Sequence, residues 1–481
     1  MPGTNLRSSP GRAAGREGCD RQVISRKLNK AEPRMANTEV TRTLSRFLTG
    51  SRYEDIPAAV RHEAKRALLN WLGCAIGAAR HETVEHALAA IRPFAGAAQA
   101  ALLGRPERLD ILHAALLNGI SSHVLDFDDT HARAVHPSAP VMPAILAYGE
   151  WKRVSGAQLV HAFVLGVEAE IRIGLSVFPE HYDIGWHITG TAGVFGAAAA
   201  MGKLLGLDER RMTWALGIAA TQSSGLRDMF GTMCKSLHPG RAAQSGLTAA
   251  LLAQQDFTSS ERGIEAPRGF AHVLSTRFDP AVITEGLGER YELSQNMYKP
   301  YACGLVVHAA IDGCIQLKRE HGLEPEDIES VHVKTSPLVP ELTAIRRPQS
   351  GLEGKFSVFH ACAVALVAGA AGEPQFADAV VRDPRVIAVR DRVSITADPA
   401  VRKLEAYVTL KLRDGRTLER HVEHALGTVQ RPMSDADLEE KFRSLAADAL
   451  PAAQIEELIR LAWQLEALPD VGVIARAATP G

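Results

Sequence analysis

The chain has 481 residues, enough for two or three domains around a large buried core. It is 46% hydrophobic and 23% charged, with Lys+Arg 54 against Asp+Glu 55, a balance that gives no electrostatic footprint for nucleic acid or a membrane surface. No apolar run approaches the roughly 20 residues needed to cross a bilayer, and six cysteines without a CxxC pair suggest neither a structural zinc site nor a disulfide framework; a reduced, cytoplasmic protein is expected.

Residues 1–34 carry eight basic and three acidic side chains but few large apolar ones, so a disordered extension is expected, with Met35 opening the folded part. From Glu39 to about Ser275 the periodicity is helical. Val60, Ala64, Ala67, Leu68, Trp71, Leu72 and Ala75 form one buried stripe, with Pro57 at its start and Gly77 near its end. Similar stripes run through 109–124, 139–153, 156–177, 190–205, 209–223 and 240–255, which predicts a helical bundle.

After about residue 295 the pattern changes. Val331, Val333 and Thr335 alternate with polar residues, and so do Leu404 to Leu412 before Asp414-Gly415, a hairpin signal that lets Thr417 to Val422 pair back. Helices are predicted at about 303–322 and 356–370. Helical pattern returns after Ser434, which with Asp437 reads as a capping pair, over 438–446 and 453–466. The predicted fold is mainly α with an α+β second domain: a helical bundle split into 35–294 and 429–481 around an α+β lid at 295–428.

Four segments place polar groups in apolar surroundings. Leu125-Asp126-Phe127-Asp128-Asp129-Thr130-His131, followed by His136-Pro137-Ser138, crowds three carboxylates against two imidazoles, a composition suited to moving protons near neutral pH. The aspartates could instead cap a helix, or hold magnesium if a second acidic cluster faced them; no such cluster is evident, and no metal is expected. His187 precedes a glycine-spaced helix whose GxxGxxG spacing is not a dinucleotide fingerprint. Lys235, His238 and Arg241 fall at the start of an Ala-rich helix, a combination that favours a carboxylate or phosphate. Tyr298-Lys299-Pro300-Tyr301-Ala302-Cys303-Gly304, with His308 beyond, lies at the predicted domain boundary, the usual place for a small-molecule cleft.

Together the segments LDFDDTHARAVHPSAPVMPA, GWHITGTAGVFGAA, GTMCKSLHPGRAAQSG, YKPYACGLVVHAAIDG, GKFSVFHACAVALVAG and RPMSDADLEEKF resemble the MmgE/PrpD family, whose members include 2-methylcitrate dehydratase, cis-aconitate decarboxylase and iminodisuccinate epimerase. The resemblance spans about 39–476. It implies a helical domain with an α+β lid, a homodimer, and no metal or organic cofactor. It places active-site residues at Asp126, Thr130, His136, His187, Lys235 and Lys299. Relative to the decarboxylase pattern, Gly304 stands where a histidine is expected and His360 where that branch has a tyrosine.

The expected activity is a cofactor-independent lyase, foremost a 2-methylcitrate dehydratase-like hydro-lyase, acting on a small di- or tricarboxylate by proton transfer next to a carboxylate. Epimerase chemistry is the second choice, then decarboxylation of the cis-aconitate type, then a non-catalytic helical scaffold. Asp126, His136, His187 and Lys235 are expected to be catalytic, with Asp126 orienting His136. Thr130, Arg241, Lys299, His308 and His360 are expected to bind substrate.

Overall fold

The computed structural model describes residues 39–133 and 135–480; the extension predicted at 1–34 lies outside the described residues. The helices of seven residues or more in the first part are α1 (Val40–Gly50), α2 (Ala58–Gly77), α3 (Glu82–Ile91), α4 (Ile111–Val124), α5 (Ser138–Lys152), α6 (Gly156–Val177), α7 (Gly193–Leu204), α8 (Glu209–Ala220) and α9 (Cys234–Gln254). Their ends follow local chemistry. Asp110 accepts from the N–H groups of Leu112 and His113 to cap α4, and Ser155 with Gln158 forms a capping box on α6. The predicted stripes at 109–124 and 156–177 correspond closely to α4 and α6.

The central helix is α9, packed against α4, α5, α7 and α8. The sequence pattern placed its start near Pro239-Gly240, but the helix opens at Cys234 and runs through both, so Lys235 and His238 lie on it. Gly240 is needed there for contact. A Cβ on Gly119 of α4 would lie 2.6 Å from the Gly240 Cα, and a Cβ on Gly240 would lie 2.4 Å from the Leu116 carbonyl oxygen. Only glycine lets these two helices cross so closely.

Beyond residue 295 come α10 (His308–His321), α11 (Val358–Ala368) and α12 (Pro384–Arg390), around a four-stranded sheet. Two short strands precede it in the chain order of the site, β1 (Thr130–His131) and β2 (Asn296–Met297), which pair antiparallel. The sheet contains β3 (Ile328–Thr335), β4 (Val393–Ala397), β5 (Ala406–Leu412) and β6 (Thr417–Val422), in the order β4-β3-β5-β6. The predicted hairpin is present, with Gly415 at φ +88° in its turn. Strand β4, parallel to β3, is an addition to the predicted set: only Val393 of its five residues is buried, so it carries little alternation. Ile311, Val331, Val333, Phe376, Val408 and Leu410 lie in the core of this α+β part.

The chain then returns to the bundle. Ser434 caps α13 (Asp435–Ala446) through a box with Asp437, and α14 (Ala452–Trp463) follows. Phe442 packs on α2, where a Cβ at Gly73 would sit 3.2 Å from its ring, and it shares a core with Trp71 and Phe163. The architecture is mainly α-helical with a smaller α+β part. Among the described residues no helix is long and apolar enough to cross a membrane.

Candidate active site

The acidic segment leaves the end of α4 through Asp126, whose φ of +52° is a left-handed conformation costly for a residue with a Cβ. Its surroundings hold it there. Lys299 Nζ donates to the Asp126 carbonyl at 2.8 Å and lies 3.2 Å from its Oδ1, while Lys235 Nζ donates to the same oxygen at 2.5 Å. Burial alone would raise the Asp126 carboxyl, but Lys235 and Lys299 outweigh it and hold it well below the usual carboxylate range. One carboxylate thus faces two ammonium groups, leaving positive charge for an incoming anion.

The β1–β2 ladder fixes the two segments: Thr130 pairs with Met297 and His131 with Asn296. Asn296 Nδ2 also donates to Asp129 Oδ2 at 2.7 Å, and Ser138 Oγ to the same carboxylate oxygen at 2.6 Å. Burial pushes the Asp129 carboxyl up to about 6 against those donors. Asp129 is a bracket for the loop. Asp128 is something else.

Asp128 is fully buried, and its Oδ2 faces two imidazoles: His123 Nδ1 at 2.8 Å and His136 Nδ1 at 3.3 Å. Burial works to raise its carboxyl, but His123 and His136 overcome this and keep it well below its ordinary range. The expected pairing of Asp126 with His136 is therefore corrected: Asp126 is engaged by the two lysines, and Asp128 is the carboxylate behind His136. His136 Nδ1 also meets Thr130 Oγ1 at 3.3 Å, and its backbone N–H donates to Thr189 Oγ1. Among the described residues nothing binds its Nε2.

His187 lines the same cavity, its ring 6.1 Å from that of His123. Its Nδ1 lies 2.8 Å from His238 Nδ1, and its ring stands edge-on to Phe230. Burial first, then the positive groups around it including Lys235, push the His187 pKa well below the usual imidazole value. Burial, with Lys235, likewise lowers His238 to about 4. At neutral pH this is a pair of neutral rings.

Asp126, Thr130, His136, His187, Lys235 and Lys299 all line one cavity of about 370 Å³, whose far wall comes from residues 304–404. Three other predicted residues do not reach it. Arg241 lies on the exposed side of α9, its guanidinium on Gln244 at 2.6 Å. Six residues at about 100° each turn it roughly 240° from Lys235. His308 is buried against Tyr301, its Nε2 donating to the Cys303 carbonyl at 3.3 Å, and burial lowers its pKa to about 3. His360 is buried in the α+β core, its Nε2 on the Gln375 carbonyl and its pKa lowered by burial to about 4. Both are core histidines held by one backbone carbonyl each, with Nδ1 buried and without a partner among the described residues.

Other participants were not named from sequence. Lys441 on α13 donates to the carbonyls of Phe127 at 2.7 Å and Lys299 at 2.9 Å, bracing both lysine-bearing and aspartate-bearing loops from behind. Lys355 donates to the Leu125 carbonyl at 2.5 Å and to Glu373. Both lysines lie within segments that carry the family likeness, GKFSVFHACAVALVAG and RPMSDADLEEKF, but nothing local shows that each reaches back to the aspartate loop. His123, Asp128 and His136 also bring ligand-type atoms within 4.8 Å of one another, a grouping able to hold a metal ion. That grouping lay outside the sequence expectation, which looked for a second acidic cluster. Its atoms pair as hydrogen-bond donors and acceptor, with both imidazoles aimed at one oxygen.

The fold and the site define the class: a mainly helical protein with a smaller α+β part, in which lysines, imidazoles and a buried carboxylate line one cavity. Residues 42–283 match the MmgE/PrpD N-terminal domain and residues 301–465 the MmgE/PrpD C-terminal domain, and the chain belongs to the MmgE/PrpD family. It is 27% identical to cis-aconitate decarboxylase of Homo sapiens, over 90% of this chain and 93% of that protein. It is 28% identical to cis-aconitate decarboxylase of Aspergillus terreus, over 91% and 95%. With 2-methylcitrate dehydratase of Cupriavidus necator the identity is 23%, over 87% and 93%.

Proposed function

We propose that the protein is a lyase of small polycarboxylates, and that decarboxylation, ranked below dehydration from sequence alone, is its reaction. The observation that carries this is asymmetry between the two imidazoles. His136 has the Asp128 carboxylate 3.3 Å behind it, an anionic partner, whereas His187 is backed by neutral His238 and faces Lys235. Decarboxylation needs one proton donor. Dehydration needs a base and a charged acid, and epimerisation needs a proton carrier on each face of the carbon. The likeness to cis-aconitate decarboxylases supports the same choice. Of the two changes that from sequence argued against decarboxylation, His360 lies outside the cavity, whereas Gly304 lines it.

A substrate carboxylate sits against Lys235 and Lys299, with Thr130 as a further hydrogen-bonding group. The C–C bond to the leaving carboxylate breaks, its electron pair moves into the adjoining unsaturated carboxylate system, and CO2 departs. The lysines stabilise that developing charge. His136, protonated from solvent, delivers its proton from Nε2 to the carbanionic carbon, and Asp128 holds the imidazolium. His187 stays neutral and hydrogen-bonds the substrate. On the family likeness, the protein works as a homodimer, without metal or organic cofactor.

The test is NMR in deuterated buffer against a panel of unsaturated and hydroxylated di- and tricarboxylates, cis-aconitate and 2-methylcitrate included. CO2 release with one deuterium incorporated per product is expected. Loss of water without CO2, exchange without net product, or no turnover of any member overturns the proposal.

A further inference from the structure

The cavity is divided in its chemistry. Its floor holds the ionic groups, but of the nine lining residues between 304 and 404 only Lys403 carries a charge. The rest of that wall is Gly304, Leu305, Val306, Leu338, Leu342, Thr343, Phe356 and Leu404, and the Thr343 hydroxyl is already committed, donating to the Val339 carbonyl at 2.6 Å. Around the whole cavity, Arg133, Lys235, Lys299 and Lys403 face Asp126 and Asp183. Four cations against two carboxylates leave charge for two substrate carboxylates. A third would find no unmatched cation, only neutral groups such as Thr130 and His187 or the leucines and phenylalanine of the far wall, and stripping a carboxylate of water against that wall is costly.

The apolar wall also has room. A Cβ built at Gly304 would meet only the Thr343 methyl, at 3.9 Å. Leu338 and Leu342 are half-buried, packed from behind by the α+β core yet facing the cavity in front.

We infer that the preferred substrate is an unsaturated dicarboxylate bearing an alkyl substituent, with one carboxylate on Lys235 and Lys299, the other toward Arg133 and Lys403, and the alkyl chain against Leu338, Leu342 and Phe356. This inference rests on the carboxylate site proposed above and names the class of molecule that the site takes. The placement makes each added methylene a source of affinity, because it leaves water for the leucine-lined wall.

The test is calorimetric titration of the full chain with maleate, methylmaleate, propylmaleate and pentylmaleate, with tricarballylate as the tricarboxylate. A fully buried methylene is worth about fourfold in affinity, so Kd is expected to fall at least tenfold from methyl to pentyl, with tricarballylate weaker than methylmaleate. Gly304→Leu fills the space beside Thr343 and is expected to reverse the order, pentyl binding more weakly than methyl. Leu342→Gln is expected to shrink the whole gain to less than threefold. Thermal melting of both variants shows that they are folded. Binding of the maleates with no dependence on chain length, or tricarballylate binding tightest, overturns this inference and leaves the lyase proposal standing. Failure of every carboxylate to bind overturns both.

Discussion

Replacing Asp128 by Asn removes the charge behind His136 and keeps the shape of the loop. The two groups are 3.3 Å apart and Asp128 is fully buried. At an effective dielectric constant of about 20, a full charge pair at that distance interacts by about 5 kcal/mol. The His136 side chain is 14% exposed and shares its Nδ1 with Thr130, so roughly half of this, about 2–3 kcal/mol, is the expected loss from stabilising the imidazolium. That corresponds to a fall in kcat of about 30- to 150-fold. It is measured as the initial rate of CO2 release on the turned-over member of the carboxylate panel, with a thermal melt alongside. A folded Asp128→Asn protein with kcat within threefold of the parent refutes the assignment of Asp128 to His136.

Lys299→Ala is expected to lower kcat/KM by about 100-fold or more, since it removes one of two cations at the anion site, whereas Arg241→Ala stays within about twofold; steady-state kinetics on both decides whether the exposed arginine is outside the machinery. Burial lowers His360 to about 4 from an ordinary 6.5, so the folded chain binds that proton later than the unfolded chain and stability falls as pH drops through this interval. His360→Phe is therefore expected to reduce the loss of unfolding free energy between pH 7 and pH 5 by about 2 kcal/mol, read by urea titration; an unchanged difference refutes it. Glu170 is wholly buried with no partner among the described residues for either carboxyl oxygen, and burial raises its pKa well above the usual value, so its contribution to stability declines as pH rises above the ordinary glutamate range. Glu170→Met is expected to stabilise by about 1–3 kcal/mol at pH 8 and by less at pH 6, and a destabilised variant at pH 8 counts against this account. Exhaustive dialysis against EDTA is expected to leave the rate unchanged; a loss restored by a divalent metal would reassign His123, Asp128 and His136 as ligands.

The elements that were legible in the sequence are those with a strong local signature. The stripe ending near Gly77, the Ser434 cap and the Asp-Gly hairpin each depend on residues a few positions apart, and each is present. Six polar motif residues also converge as their family likeness implied. What escaped was pairing across the fold. Asp128 looked like a spare carboxylate beside Asp126, because nothing local shows that the left-handed turn sends the Asp126 carboxylate to the lysines and Asp128 to the imidazoles. His308 and His360 have the residue type of ligands, but their helices turn them inward to backbone carbonyls. Arg241 shares a motif with Lys235 but not a helix face. Lys441 is 142 positions from Lys299, whose carbonyl it binds, and no spacing rule reaches that far.

That last contact sets an order of events. The Lys441 ammonium joins the carbonyls of Phe127 and Lys299, so the floor of the cavity is tied together by a helix that emerges long after either loop has been made. A nascent chain that has made the first part of the bundle and the lid sheet still lacks this clasp, and its two loops are joined by the Thr130–His131 and Asn296–Met297 ladder, by Asn296 on Asp129 and by Lys299 on Asp126. The floor of the cavity thus receives its last tie only once the chain has been made as far as Lys441.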